Sequence, residues 1–182
     1  MAENRYNGLT ALTALRRMLD GDSYLEVIHE GGYIWKAHFT FGPSATMQDI
    51  EAIRQQLQLP LPPTYEQFLL HYDGALLYYD DMYGQWGFKL YGTKDLVTAN
   101  IRRKEPYESD WPSAYLIFAE SLGDSDLLIL DTAQPVNEGR DYRVIDGNSS
   151  DPPHRWTAAA RSFGDWLDRL VVAQGAKYWR WY

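Results

Sequence analysis

Two carboxylate groups in this chain have the residue types and spacing to do chemistry. The first is Gly123-Asp124-Ser125-Asp126, with Asp131 five residues on. Oxygen ligands at alternate positions suit Ca²⁺ or Mg²⁺. An EF-hand loop opening at Asp124 needs glycine at 129 and glutamate at 135, and the chain has Ile129 and Pro135 there. The same residues suit a polar turn between two apolar runs, since Asp and Gly accept turn backbone angles. The second group is Asp80-Asp81, set among Tyr78, Tyr79, Met82, Tyr83 and Trp86. Carboxylates interleaved with large aromatics read either as a solvated loop tip or as a binding loop with aromatic anchors.

Other chemistries lack their residues. There is no cysteine, which removes disulfides, thiolate nucleophiles and Cys-ligated metals. The histidines, His29, His38, His71 and His154, fall in no HExxH or comparable metal-ligand spacing. No GxSxG elbow, no Walker GxxxxGK and no GxGxxG occurs. The expectation is no catalytic residues, no metal, no cofactor and no enzymatic activity. An enzyme or metal-dependent binder centred on Asp124, Asp126 and Asp131 is the alternative.

Charge narrows the partner. The net charge is −8 over 182 residues. Residues 60–150 carry 15 acidic and 7 basic side chains, so the middle of the chain holds a charge equal to the whole. Nucleic-acid affinity comes mainly from neutralising phosphates with Lys and Arg, which argues against that partner. A basic protein suits the field; the bland alternative is solubility alone. The start, MAENRYNGLTALTALRRMLD, lacks the basic-then-apolar pattern of a signal peptide, and no run of about 18 apolar residues is present. A cytoplasmic protein without a membrane partner is the expectation.

The elements that must position these groups follow from periodicity. Leu9, Leu12, Leu15, Met18 and Leu19 recur at helical spacing, ending near Gly21. Tyr24–Ile28 and Tyr33–Phe41 flank Gly31-Gly32 as a hairpin, with Tyr33, Trp35, Ala37, Phe39 and Phe41 on one face. Thr46 caps a helix bearing Met47, Ile50, Ile53 and Leu57. In LPLPPTYEQFLLHYDG, prolines separate two helices. Thr64 and Gln67 have capping-box spacing and Asp73-Gly74 ends the second helix. Strands are expected at Leu76–Tyr79, Trp86–Tyr91, Tyr115–Ala119, Leu127–Leu130 and Asp141–Ile145. A helix is expected from Thr93, and a last one capped by Thr157 with Phe163, Trp166, Leu167, Leu170 and Val171 on one side. The tail Lys177–Tyr182, KYWRWY, is expected to pack on the N-terminal hairpin. Helices and strands that do not alternate one for one indicate α+β: a mainly antiparallel or mixed sheet with helices around it.

Several of these segments together resemble one family, the SUKH superfamily of Smi/Knr-type proteins. Its pattern is a helix, an LP-x-x-[YF]-x-x-F-L-x-x-x-[ND]-G segment, an apolar strand with a Gly-Asp turn and second strand, and a closing SF-x-x-[FW]-L helix. Leu61, Pro62, Tyr65, Phe68, Leu69, Asp73 and Gly74 match the second part, Leu116–Gly123 with Asp126–Asp131 the third, and Ser162, Phe163, Trp166 and Leu167 the last. The likeness divides the chain into a helix–hairpin extension (1–45), a SUKH-like domain (46–173) and an aromatic tail (174–182). It implies a compact, non-enzymatic α+β domain. Bacterial relatives are immunity proteins that neutralise toxins; fungal relatives are regulatory interaction modules. On that basis the expected function is toxin neutralisation by occlusion of a basic toxin domain, with a regulatory or scaffold role as the alternative. Asp80, Asp81, Tyr83, Trp86, Asp124 and Asp126 are the candidate contact residues. A monomer and a homodimer are both open.

Overall fold

Every strand of this chain hydrogen-bonds to its neighbours in sequence. A computed structural model describes residues 8–133, 135 and 141–181. Eight strands form one antiparallel meander in the order β1 to β8: Tyr24–Ile28, Ile34–Phe41, Ala75–Tyr79, Phe88–Leu90, Tyr115–Ser121, Leu127–Asp131, Arg143–Gly147 and Thr157–Ala160. Five α-helices accompany it: α1 Leu9–Met18, α2 Met47–Leu57, α3 Pro63–His71, α4 Thr93–Arg102 and α5 Phe163–Val172. α1 and α3 lie against α5, α2 against α4, and α4 against β5. The fold is α+β, with the expected N-terminal helix and hairpin. β2 pairs with β3 as well as with β1, so the hairpin continues the same sheet.

The segments that carry the family likeness build the core. Tyr65 and Phe68 of α3, Phe118 of β5, and Phe163 and Trp166 of α5 touch ring to ring at 5.1–6.0 Å between centroids, and none is exposed to solvent. Aromatics supply large apolar area, and edge-on contacts suit their quadrupoles. The Tyr65 hydroxyl donates to the Tyr91 carbonyl at 2.6 Å, which satisfies the one polar atom that packing would strand. β5 and β6 are apolar on both faces, so Leu116–Ala119 and Leu127–Leu130 are buried residue by residue.

Two local expectations are corrected, at Thr64 and Thr157, and the cap expected at Thr46 is present. Thr64 is not a cap: α3 starts at Pro63 with Pro62 before it, and the buried Thr64 hydroxyl donates to Asp141 at 3.1 Å. The capping box is at Thr46, whose hydroxyl accepts from the Asp49 N–H while the Asp49 carboxylate takes the Thr46 N–H. Thr157 opens a strand, β8, rather than a helix. Ala158 and Ala160 pair with Ile145 and Val144, so sheet pairing overrides alanine's helix preference. Ser162 caps α5, accepting the Asp165 N–H at 3.0 Å.

Asp73-Gly74 does more than follow a helix. The Asp73 carboxylate accepts the Thr93 N–H at 2.5 Å and the Thr93 hydroxyl at 2.7 Å, capping the start of α4 from the head of the neighbouring strand β3. Gly42 and Gly92 crowd the same residue: a Cβ on either would lie 2.2 or 2.4 Å from the Asp73 carbonyl oxygen. Asp73→Ala should therefore lower stability by about 1–2 kcal/mol, the worth of a helix cap, as measured by urea denaturation; Asp73→Asn should recover part of it.

The outer edge of the sheet is β1. Its inward backbone groups bond to β2. Of its outward groups, the Tyr24 N–H donates to the Asp20 carboxylate at 2.8 Å and the Ile28 N–H to the Gln174 side-chain oxygen at 2.7 Å.

Candidate functional site

An antiparallel meander places alternate connections at the same end of the sheet. At one end lie the β1–β2 turn, the β3–β4 loop, the β5–β6 turn and the β7–β8 loop. The α-helical connections β2–β3 and β4–β5 lie at the other. The six candidate contact residues fall in the β3–β4 loop and the β5–β6 turn, and the fold brings those two segments into contact. The Leu122 N–H donates to the Gly87 carbonyl at 2.9 Å. Gly123 (φ +90°) lies so close to the loop that a Cβ there would be 2.1 Å from the Gln85 carbonyl oxygen. Only glycine allows that approach.

The six do not share one role. Asp80 is buried and shapes the loop. Its Oδ1 accepts from the Met82 and Tyr83 N–H groups at 3.1 and 3.2 Å, and its carbonyl accepts the Gly84 N–H at 2.7 Å. Held this way, the loop projects Met82, Tyr83 and Trp86 at 75%, 70% and 49% exposure. Asp81 is exposed and accepts the Tyr24 hydroxyl, which joins the loop to β1 and raises the Tyr24 pKa. Asp124 is exposed at the β5–β6 turn. Asp126, two residues on, is 2% exposed and serves the fold.

Asp126 is the centre of an ion-pair network that fastens the C-terminal tail. Gln174 (φ 53°) and Gly175 (φ +84°) reverse the chain after α5, with the Gly175 N–H donating to the Leu170 carbonyl at 2.9 Å. The tail then runs back across the sheet end. The Lys177 ammonium lies 2.5 Å from Asp124 and 2.6 Å from Asp126. Arg180 grips Asp146 with two bonds at 2.6 and 2.7 Å and reaches Asp126 at 2.8 Å. The Ser149 N–H of the β7–β8 loop donates to Asp126 at 2.7 Å. Burial alone pushes the Asp126 carboxyl up; Lys177, the Ser149 N–H and Arg180 more than reverse this and bring it down to about 2. The Asp146 carboxylate, bonded to Arg180, raises the guanidinium pKa above its ordinary value.

This corrects the expected place of the tail. Lys177 and Arg180 bind the β5–β6 turn and β7, and Trp179 packs on Phe88 and Trp166. Gln174 is the residue that bonds to the hairpin; Tyr182 lies outside the described residues. Opposite charges on a basic tail and an acidic turn were the sequence signal for this docking.

Between these segments lies a groove of about 610 Å³, within the range of ligand pockets. Its walls include His29 and Trp35 from the hairpin, Gln85 and Trp86 from the loop, Asp124 from the turn, and Lys177 and Trp181 from the tail. His29 and Trp86 touch at 4.9 Å between ring centroids, joining hairpin tip to loop. Trp35, Trp86 and Trp181 all line it. Trp35 was read from sequence only as a strand residue, and nothing in its local spacing marks it otherwise. Among the described residues, no group of three or more His, Asp or Glu is arranged to hold a metal ion. The Lys177 ammonium sits between Asp124 and Asp126, and Asp131 is at the far end of β6, paired with Arg143 at 3.1 Å.

Residues 44–169 match the SMI1/KNR4 family, SUKH-1. The chain belongs to that family. The matched span runs from just before α2 into α5 and covers the aromatic core, the capping Asp73 and the β3–β4 and β5–β6 connections. α1, the β1–β2 hairpin and the tail fall outside it, so the groove has walls from both sides of that boundary. SUKH-1 membership marks this as a protein-interaction or immunity-type domain. No curated protein matches the chain. Among the described residues, no helix is long and apolar enough to cross a membrane.

Proposed function

We propose that this SUKH-1 protein is a non-enzymatic immunity protein that neutralises a bacterial toxin by occluding it, with the groove end of the sheet as the docking face. The observation that carries this reading is the gathering of exposed large apolar side chains there. Met82, Tyr83 and Trp86 stand on the β3–β4 loop, Tyr33 at the hairpin tip and Trp181 on the tail, each at least 49% exposed. Aromatics surrounded by polar groups are the usual anchors of protein interfaces, and solvent-facing apolar clusters mark such surfaces. Asp81 and Asp124 give the rim a negative charge, which favours a basic partner and speeds encounter. Asp80 and Asp126 hold the loop and the tail in place beneath that rim.

The test is co-expression with the toxin-like products of neighbouring genes, followed by affinity capture and a toxicity assay. Capture of one toxin domain with loss of its activity is the expected result. Capture of regulatory or envelope proteins alone would replace it with a scaffold role. Trp86→Asp should weaken the captured complex at least 30-fold by calorimetry, about the 2 kcal/mol worth of a buried aromatic anchor. Asp81→Lys should act mainly on the association rate, and more at low salt than at high. Equal rates for Asp81→Lys and wild type at low salt would remove the electrostatic part of the reading.

A further inference from the structure

We propose that the groove receives the side chain of an arginine presented by a protein partner, the guanidinium lying against the indoles of Trp35, Trp86 and Trp181 with the Asp124 carboxylate beside it. This rests on the protein-binding reading above and specifies its central contact.

Three tryptophans line this one groove. Their faces are electron-rich and attract cations, tryptophan most strongly. Arginine's guanidinium is planar, weakly hydrated and able to stack on an aromatic face while it hydrogen-bonds in its own plane, which a lysine ammonium cannot do.

Two cations also line the groove, Lys177 and Arg180, and they decide the sign of the site. Both are already engaged. Lys177 is held by Asp124 and Asp126 at 2.5 and 2.6 Å, and Arg180 by Asp146 and Asp126 at 2.6 and 2.8 Å. Three carboxylates face two cations, so the network carries one negative charge beyond neutrality. The Asp126 and Asp146 side chains are 3% and 6% exposed, whereas Asp124 is 48% exposed. The uncompensated charge therefore reaches solvent at Asp124, which is the groove-lining carboxylate. An anionic occupant would meet that charge, in a chain whose net charge is already −8. An arginine meets a carboxylate in a groove lined by three tryptophans. Of the three tryptophans, Trp86 lies within the span that matches the family, and Trp35 and Trp181 lie outside it.

The experiment is a titration of the full-length ¹⁵N-labelled chain, followed through its tryptophan indole N–H resonances. The probes are the blocked tripeptide Ac-Gly-Arg-Gly-NH₂ and its citrulline analogue, which has nearly the same shape without the charge. Trp111 and Trp156, which pack together in a separate aromatic cluster, are internal controls. The expected result is saturable shifts of the Trp35, Trp86 and Trp181 signals with the arginine peptide. The citrulline peptide should bind at least tenfold more weakly, and Asp124→Asn should weaken the arginine peptide several-fold with the control signals unmoved. Equal shifts with citrulline, shifts spread to Trp111 and Trp156, or no shift at millimolar peptide would overturn the proposal. The broader reading fails separately. A toxin captured and silenced through Trp86 whose bound form places no arginine in the groove would overturn this inference and leave the occlusion reading intact. Arginine binding without capture of any toxin would do the reverse.

Discussion

Asp126→Ala is expected to lower the stability of the fold by about 3 kcal/mol, because two cations and a backbone N–H lose a shared, buried, charged acceptor. Three groups converge on this one carboxylate: the Lys177 ammonium, the Arg180 guanidinium and the Ser149 N–H. Alanine removes their common acceptor while Asp124 and Asp146 retain one partner each. Urea denaturation at pH 7 measures the loss, and a variant as stable as wild type would refute this account of the network. The same carboxylate sets an acid limit. Its folded pKa is depressed to about 2, below the ordinary value of 3.8. Its stabilisation is therefore complete above the unfolded-state value and disappears as the pH falls from about 4 toward 2. The shift corresponds to about 2 kcal/mol. Wild type should lose that increment over this window, and Asp126→Ala should show a correspondingly flatter acid profile.

Trp166→Ala is expected to cost about 3–5 kcal/mol through the cavity it leaves. Trp166 is fully buried, and its ring contacts Phe88, Phe118, Phe163 and Trp179 at 5.1–6.3 Å between centroids. It thus joins α5, two strands and the tail. The loss should reach the groove: with Trp166 gone, Trp179 keeps Phe88 alone among its core ring contacts, and the tail depends more on its ion pairs. Hydrogen exchange should show faster opening at 176–181 in Trp166→Ala than in a variant of equal stability elsewhere in the core. Unchanged exchange there would mean that the ion pairs alone fix the tail. Trp166→Phe should recover much of the stability, since it keeps an aromatic ring at the centre.

Periodicity made most of the elements legible, and the reasons for the failures are specific. The alternation of Trp35, Ala37 and Phe39 and the spacing of Ile50 and Ile53 report one buried face each, and both read correctly. Thr157-Ala-Ala-Ala reads as helix because alanine favours helix locally. Its pairing with β7 is a long-range fact that no local preference contains. Thr64 has the residue type and offset of a cap, but proline at 63 starts the helix first, and Asp141, 77 residues away, takes the hydroxyl. The carboxylates show the same limit. Asp80, Asp81, Asp124 and Asp126 look alike in sequence as acids in turns. The structure separates them into a loop brace, a rim charge, a second rim charge and a buried anchor, according to which backbone N–H or distant cation reaches each one. Trp35 and Trp181 were visible only as aromatics, since their meeting at one groove depends on the meander order and on the chain reversal at Gln174-Gly175.

Asp20 and Gln174 bear on how this molecule meets its own copies. A sheet grows by adding strands at an edge, and an edge with free N–H and C=O groups is a template for polymerisation. On β1 the two outermost outward N–H groups are taken by these side chains, one from just before the strand and one from the far C-terminus. Between them only the Glu26 position stays open, and it presents a charge. β8, at the opposite edge, is four residues long. A neighbouring chain finds no ladder of useful length on either side. Edges closed in this way favour recognition by side chains over strand addition, and they let the protein expose a face rich in tryptophan and tyrosine with few open edge groups beside it.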